Sequence, residues 1–159
     1  MVQDRGLGST LSAHPFFKDM DPVALGTIVG CAGNSLFQPG ETIFRQGEAA
    51  DKCYLVREGR IGLEIHVPGR QSGISIETVE AGDIVGWGWI TPPYRWSTDA
   101  HALETTRVLQ LDATCLRRKM EDDRTLGYEI YRRFVPVMAS RLAAYRVRIV
   151  ELAAEPESR

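Results

Sequence analysis

The chain has 159 residues, 43% of them apolar and 25% charged, and a formal net charge of −2 at pH 7. This size and composition predict one soluble domain over residues 1–159. No run of apolar residues is long enough for a membrane span, and the net charge gives no overall attraction to nucleic acid. The N-terminus lacks the apolar segment of a secretory signal, so we expect a cytoplasmic protein. Cys31, Cys53 and Cys115 form no Cys-x-x-Cys pair, which favours reduced, mostly buried thiols.

The N-terminal residues 1–34 are predicted to be helical. Asp21 followed by Pro22 is typical of a helix start, because an aspartate side chain accepts a hydrogen bond from the first turn and proline suits the first helical position. Gly33 and Asn34 are typical of a helix end. We therefore expect the helix that begins after Asp21 to run up to these two residues.

Residues 35–112 carry the pattern of short strands. Turn signals rich in glycine and proline recur about every ten residues, and apolar and polar residues alternate between them, as at Ile61, Leu63 and Ile65. About eight strands of this kind predict an antiparallel barrel of the jelly-roll type. The expected fold class is therefore mainly β, with helices on both sides of the barrel in the chain.

Two helices are predicted over residues 113–154, a short one after Asp112 and a long one after Asp123. Pro136 should kink the long helix, because proline lacks the N–H group that a helix interior needs. Residues 155–159 are expected to form a short tail.

The long helix is predicted to pair with a second copy of itself through residues 124–152. From the middle of this helix onward, apolar residues recur in steps of four and three, which is typical of a coiled-coil seam: Met138, Leu142, Tyr145, Ile149 and Leu152. The helix is also basic, with Arg132, Arg133, Arg141, Arg146 and Arg148. We interpret these arginines as solvated residues beside the seam of a homodimer, and a nucleic-acid contact is the alternative. A third interpretation is that Arg141 or Arg146 in addition faces a bound anion.

No constellation of catalytic or metal-ligating residues is present in the sequence. His14, His66 and His101 are isolated, and no two of them have the spacing of a metal site. Phosphate-binding and nucleophile motifs such as the P-loop and the Gly-x-Ser-x-Gly turn are absent. We therefore expect a protein that is not an enzyme and that has no catalytic residue and no bound metal.

Residues 82–100 are the densest chemical feature of the chain. All three tryptophans of the chain lie inside this segment, within a stretch of ten residues: Trp87, Trp89 and Trp96. Gly86 and Gly88 allow a tight backbone turn with N–H groups that suit an anion, and the Arg95 guanidinium suits phosphate oxygens. Two interpretations stay open: the indoles stack against a planar ligand, or they fill the core and Arg95 is a solvated loop residue.

Three stretches of the sequence resemble the cyclic nucleotide-binding domain family, which includes the sensor half of catabolite activator protein. They are residues 36–48 (LFQPGETIFRQGE), residues 54–61 (YLVREGRI), and Gly82-Asp83 with Gly86. The resemblance covers about residues 12–152. It implies an eight-stranded jelly roll between an N-terminal helical piece and a short helix that is followed by a long one.

Carried over to this chain, the resemblance makes residues 86–97 a phosphate-binding cassette for cAMP, cGMP or another nucleotide. It implies that Arg95 pairs with the cyclic phosphate, helped by Ser97 and nearby amides, and that the long helix closes over the base. An apolar wall beside the base would comprise Leu63, Ile76 and Val79. The residues implied at the ligand are Gly86, Trp87, Gly88, Trp89, Arg95, Trp96, Ser97, Leu63, Ile76, Tyr145 and Arg146.

Trp87 departs from the family pattern. The family usually has a glutamate directly after the first cassette glycine, and that carboxylate accepts a hydrogen bond from the ribose hydroxyl. A buried hydroxyl without its acceptor costs about 1–3 kcal/mol, or about tenfold to a hundredfold in affinity. Trp96 likewise replaces the small residue that usually follows the arginine. The phosphate half of the site is therefore kept, while indoles replace the ribose half.

Two functional hypotheses follow from these features. The first is a non-catalytic sensor that binds a nucleotide-like anion and relays the signal through the C-terminal helix to a separate effector protein. We expect it to contact neither DNA nor membrane, because the chain ends where DNA-binding relatives continue. The second is a degenerate domain with altered or lost ligand binding that serves as an accessory subunit of a larger complex. The variant over residues 86–100 resembles a stand-alone bacterial subgroup, and similar small subunits accompany soluble NAD-linked hydrogenases and related redox complexes.

Overall fold

The computed structural model describes residues 2–156 of the chain. Met1 and residues 157–159 lie outside this range, so it does not include the outer ends of the predicted domain 1–159 and of the predicted tail 155–159. Within the described range lie eight strands, four α-helices and one short 3-10 helix. The prediction of a mainly β protein with flanking helices is confirmed at this level.

Short helices come first in the chain, followed by the strands and then by two further helices. The helices are α1 Val2–Ala13, the 3-10 helix Pro15–Phe17, α2 Pro22–Val29, α3 Ala113–Asp122 and α4 Arg124–Ala154. The strands are β1 Ala32–Phe37, β2 Thr42–Phe44, β3 Lys52–Glu58, β4 Arg60–Ile65, β5 Ile74–Glu80, β6 Ile84–Val85, β7 Asp99–Ala102 and β8 Thr106–Asp112. None of the helices described here is both long and apolar enough to span a bilayer.

The strands form two antiparallel sheets of four strands each. One sheet has the order β1-β8-β3-β6, and the other has the order β2-β7-β4-β5. A cluster of buried apolar side chains joins the sheets, with Leu55 and Val108 from the first and Ile61 and Leu63 from the second. Burying each such side chain contributes about 1.5–3 kcal/mol, so this shared core holds the two sheets together.

Three aspartates begin helices at the positions that the sequence predicted. The Asp21 carboxylate accepts a hydrogen bond of 3.3 Å from an amide in the first turn of α2. Asp112 accepts one of 2.9 Å in α3, and Asp123 accepts two of 3.1 and 3.2 Å in α4. Each bond pairs an amide that the first helical turn leaves without a backbone partner, so these starts depend on local sequence alone.

The predicted end of the second helix at Gly33 and Asn34 is wrong. α2 ends at Val29, and β1 begins at Ala32, which is paired with Leu111 of β8. Gly33 and Asn34 therefore lie within a strand, because their backbones belong to an antiparallel ladder with a partner far along the chain. The local turn signal was overridden by this tertiary pairing.

The long helix α4 has a buried first half and a more exposed second half. Leu126 and Phe134 are at most 2% exposed in the core, whereas Leu142 and Ile149 are 54% and 64% exposed. The helix continues through Pro136, so this residue does not end it. The buried side chains attach α4 to the shared core of the two sheets, while the kink at Pro136 and the pairing of two α4 helices stay predictions.

Cys31 and Cys115 form a disulfide, so the prediction that these thiols are reduced is wrong. Cys31 follows α2, and Cys115 lies in the first turn of α3. The Asp112 amide donates to the Cys31 carbonyl at 2.8 Å, and this contact brings together two cysteines that are 84 residues apart. Cys53 is a free, buried thiol as predicted, and burial raises its pKa well above the usual value.

Breaking the disulfide should destabilise the domain. A cross-link between residues 84 positions apart restricts the unfolded chain, so Cys31→Ser should lower the free energy of unfolding by about 2–4 kcal/mol. Urea unfolding of wild type and variant, each with and without dithiothreitol, measures the effect. Reduction should lower the wild-type midpoint and leave the variant unchanged, and equal stability of all four samples would contradict the disulfide.

Candidate ligand-binding site

Residues 86–97, the predicted cassette, lie in the loop between β6 and β7 and contact the loop between β2 and β3. The Gly47 amide donates to the Trp96 carbonyl at 2.8 Å, and the Trp96 amide donates to the Glu48 carbonyl at 2.9 Å. These paired backbone bonds hold the second half of the cassette in place. The position of Arg95 is therefore set by the main chain on either side of it.

Gly86 and Gly88 are required because the two ends of the cassette approach each other closely. Gly86 has a φ of +65°, and a Cβ on it would lie 3.0 Å from the Trp96 ring. A Cβ on Gly88 would lie 2.5 Å from the Arg95 carbonyl oxygen, which no real side chain tolerates. The two glycines therefore bring the first turn of the cassette next to the arginine that was predicted to bind phosphate.

Two of the three indoles lie in the core. Trp96 is stacked on Phe44, with the ring centroids 3.8 Å apart and the planes at 7°, and it is 5% exposed. Trp89 is fully buried, and its ring meets that of Phe134 edge-on at 5.4 Å. Both indoles support the cassette from the core side, so for them this arrangement favours the core-filling interpretation.

Trp87 differs from the other two indoles because it joins the cassette to α4. Its half-buried ring lies 5.9 Å from the ring of Tyr145. Both rings line an almost wholly apolar groove of about 420 Å³, whose other walls are Val135, Met138, Ala139 and Leu142 of α4. The indole that stands in place of a carboxylate therefore contacts the helix that was predicted to close over the site.

Arg95 and Ser97 are exposed on the outer side of the cassette. The Arg95 Nη1 donates to the Gly47 carbonyl at 2.8 Å. Among residues 6–156, no carboxylate lies within ion-pair distance of this guanidinium. Because its protein partner is a neutral carbonyl, the Arg95 charge is available to an anion from solution.

The other predicted ligand residues do not form one wall. Ile76 lines a second apolar groove, of about 400 Å³, between the sheet and the end of α4, and Tyr145 borders this groove too. Leu63 is buried in the core, like Val79, and Arg146 is exposed on α4. Tyr145 therefore borders both grooves and is the position on α4 at which the predicted site residues converge.

A buried ionic cluster that the sequence pattern did not indicate joins β5 to α4. Arg141 Nη1 lies 2.5 Å from Glu77 Oε1, and the Tyr145 hydroxyl donates to Glu77 Oε2 at 2.8 Å. Arg141 also donates to the carbonyl of Ile84 in β6. The side chains of Glu77 and Arg141 are only 11% and 8% exposed. One arginine thus connects α4 to both the strand β5 and the strand that leads into the cassette.

The solvated role predicted for Arg141 is wrong. Glu77 is paired with Leu63 in the register of β4 and β5, so its carboxylate is on the core side of the sheet, where Arg141 meets it. The available signals were an acidic residue at an inward strand position and the spacing of four between Arg141 and Tyr145, which places both on one helix face.

Burial changes the acidity of this cluster. It raises the pKa of Glu77 above the usual carboxyl value, although Arg141 and the Tyr145 hydroxyl act in the opposite direction. Burial and the neighbouring carboxylate also raise the pKa of Tyr145, so its hydroxyl stays protonated and donates to Glu77. The cluster therefore holds a charged pair in a poorly hydrated place.

Arg117 of α3 holds the tip of the cassette, a contact that the sequence pattern also did not indicate. Its Nη1 donates to the Trp89 carbonyl at 2.6 Å, and its guanidinium carbon lies 4.0 Å from the centre of the Tyr94 ring. A cation–π contact of this kind contributes about 0.5–1 kcal/mol at an exposed site. The cassette is thus attached to α3 through Arg117 and to α4 through Trp87.

The histidines lie apart from one another. His14 is buried, its Nε2 donates to the Val56 carbonyl at 3.0 Å, and burial lowers its pKa. His66 Nε2 lies 2.6 Å from the Asp99 carboxylate. In the part of the chain that the structure describes, no three His, Cys, Asp or Glu side chains are grouped so that they could hold a metal ion.

Comparison with known proteins identifies related domains. The family model described as "Cyclic nucleotide-binding domain" matches residues 35–123. A cAMP-dependent protein kinase regulatory subunit of Debaryomyces hansenii is 26% identical over 149 residues, which are 91% of this chain and 32% of that protein. A CRP-like cAMP-activated global transcriptional regulator of Mycobacterium tuberculosis is 23% identical over 143 residues, which are 89% of this chain and 61% of that protein. This chain thus spans less than two thirds of the length of either curated relative.

A solved structure shows the same fold. The crystal structure of a cyclic nucleotide-binding domain from Methylobacillus flagellatus is similar with a TM-score of 0.78 and 16% sequence identity. The match covers 98% of this chain and 88% of that one. The likeness therefore extends over the sheets and the flanking helices together.

Gly88→Ala should distort the cassette. Its Cβ would meet the Arg95 carbonyl at 2.5 Å, so the backbone must shift, and we expect the free energy of unfolding to fall by about 1–3 kcal/mol. Gly26→Ala in α2 is the matched control, because a Cβ there meets nothing within 4 Å, and it should be neutral or stabilise by up to about 1 kcal/mol. Urea unfolding measures both, and equal stability of the two variants would contradict the close contact within the cassette.

Proposed function

Because the chain belongs to the cyclic nucleotide-binding domain family, we propose that it is a non-catalytic regulatory module that senses a nucleotide-like anion. The observation that carries the proposal is Arg95, an exposed guanidinium next to a turn that only glycine can form. A guanidinium and backbone N–H groups both donate hydrogen bonds to phosphate oxygens, so such a turn suits a phosphate group.

The ligand that we propose is cAMP, with cGMP and other phosphate-bearing nucleotides as further candidates. Both curated relatives carry cAMP in their names. The phosphate would dock on Arg95, on Ser97 and on the amides of Gly86–Gly88, and the base would lie against Tyr145. Trp87 supplies no carboxylate for the ribose hydroxyl, so we expect cAMP to bind about tenfold to a hundredfold more weakly than in a site with that acceptor.

The relay that we propose runs through the helices attached to the cassette. Trp87 contacts α4 and the Trp89 carbonyl is held by Arg117 of α3, so a ligand that moves the cassette changes the contacts of both helices. A ligand shifts such an equilibrium only as far as it prefers one helix arrangement over the other. The output would then be delivered to a separate effector protein.

A homodimer through α4 is part of the proposal. Large apolar side chains of this helix are between 51% and 68% exposed in the single chain: Tyr128, Tyr131, Val135, Leu142, Val147, Ile149 and Val150. An exposed apolar face of this kind is typical of a surface that a second helix covers. Pairing of two α4 helices would couple the two sites of the dimer.

The second candidate function is an accessory subunit, with altered or lost ligand binding, of a larger assembly such as a redox complex. The observation that favours it is the filled interior. Trp89 and Trp96 occupy the core beneath the cassette, and Glu77 already neutralises Arg141. The two functions differ in whether a nucleotide stabilises the fold.

Binding of cAMP should raise the melting temperature of the protein. A ligand at about a hundred times its dissociation constant stabilises the folded state by about 2.7 kcal/mol. Arg95→Ala should abolish the shift, because it removes the charge that holds the phosphate. Arg70→Ala, which removes an exposed arginine outside the cassette, should leave it intact. A thermal-shift panel of cAMP, cGMP and linear nucleotides checks this result, and no shift with any of them would favour the accessory subunit.

Charged residues at exposed apolar positions of α4 should separate the dimer. Leu142→Glu with Ile149→Glu places two carboxylates where the two helices would meet, so we expect the mass in solution to fall to that of one chain. Val23→Glu changes a valine that is 77% exposed on α2, and it should leave the dimer unchanged. Light scattering after size exclusion measures the masses, and a wild-type protein that is monomeric at all concentrations would reject the homodimer.

A further inference from the structure

Glu77 of β5 neutralises the charge of Arg141, a residue of α4 that packs against β5 and β6. Arg141 contacts the Glu77 carboxylate and a backbone carbonyl of β6, the strand that leads into the cassette. Met138 and Tyr145, three residues before and four after it on α4, line the groove that Trp87 borders. Arg141 therefore lies on the helix face that is turned toward the cassette, and the Glu77 carboxylate already neutralises its charge.

A buried ion pair of this kind is not explained by stability. Taking two charges out of water costs several kcal/mol, and their mutual attraction only offsets this cost when the geometry is good. Apolar residues in place of such a pair are often neutral or stabilising. Glu77 and Arg141 are almost wholly buried, so a role other than holding the fold accounts better for the pair.

We propose that Glu77 is an internal anion that holds Arg141 and α4 in the ligand-free arrangement, and that a ligand which moves α4 must displace Arg141 from this carboxylate. The displacement step rests on the proposed function, whereas the hold of Glu77 on α4 needs no ligand. Tyr145 takes part because its hydroxyl donates to the second oxygen of Glu77.

The pH dependence of binding follows from the groups that face Glu77. These are Arg141 and Tyr145 from α4 and Asp83 from the turn before β6, and Leu63 lies opposite on β4. Burial, with a smaller contribution from Asp83, raises the pKa of Glu77. As the pH falls through this raised pKa, the carboxyl takes up a proton and releases Arg141, whereas at higher pH the carboxylate holds it. Release of α4 should therefore increase, and ligand binding should strengthen, toward low pH.

Hydrogen exchange without any nucleotide tests the hold on α4. In Glu77→Gln, amides of residues 138–152 should exchange about tenfold faster than in wild type, because a neutral amide holds Arg141 less strongly than a carboxylate does. Glu80→Gln is the matched control, since Glu80 is an exposed glutamate of the same strand. If Glu77→Gln does not fold, the wild type compared at neutral pH and below the raised pKa of Glu77, corrected for intrinsic rates, gives the same test. Unchanged protection of these residues overturns the proposal.

Calorimetric titration with cAMP tests the displacement. At about pH 8 we expect Glu77→Gln to bind cAMP about tenfold more tightly than wild type, a change of about 1.4 kcal/mol. Wild-type affinity should rise as the pH falls through the raised pKa of Glu77, while the affinity of Glu77→Gln does not follow this titration. Adenosine, which lacks the phosphate, is the control for the Arg95 contact and should bind both proteins more weakly than cAMP.

The outcomes separate this proposal from the proposed function. If wild type and Glu77→Gln bind cAMP equally at every pH, the displacement of Arg141 from Glu77 is overturned while nucleotide sensing stands. If α4 exchanges faster in Glu77→Gln but neither protein binds cAMP, the hold on α4 is supported and cAMP sensing is rejected.

Discussion

The contact between the Gly88 backbone and the Arg95 carbonyl determines the shape of the cassette. No side chain fits between them, since a Cβ on Gly88 would lie 2.5 Å from that oxygen. With the two ends held together, the Trp96 ring is directed into the core against Phe44, while the adjacent Arg95 stays at the surface. One steric constraint thus separates the residues that pack the domain from those that can meet a ligand.

Features that depend on neighbouring residues were predicted from the sequence, and features that depend on distant ones were not. Asp21 and Asp123 begin helices because each side chain meets amides of its own first turn. Gly33 lies in a strand only because β8 pairs with it. The bond between Cys31 and Cys115 likewise exists only because the fold brings α3 to the end of α2. No periodicity or motif in a single sequence indicates such contacts.

The candidate site divides in the same way. Its phosphate half was marked by the spacing of the cassette glycines and Arg95, whereas an irregular loop has no periodicity from which the direction of each indole can be predicted. The pair of Glu77 and Arg141 joins a strand to a helix that is distant from it in the sequence. The phosphate half therefore lies at the surface, and the interior half is held by an ion pair of the chain itself. The balance between these halves decides between a nucleotide sensor and an accessory subunit.

A crystal structure of the protein grown with cAMP tests nucleotide sensing by the cassette most directly. We predict that the cyclic phosphate lies within hydrogen-bond distance of the Arg95 guanidinium and of the amides of Gly86–Gly88, and that Arg141 has turned away from Glu77. A structure with cAMP bound elsewhere, or with an empty cassette in which Arg95 still donates to the Gly47 carbonyl, would contradict this account of the site.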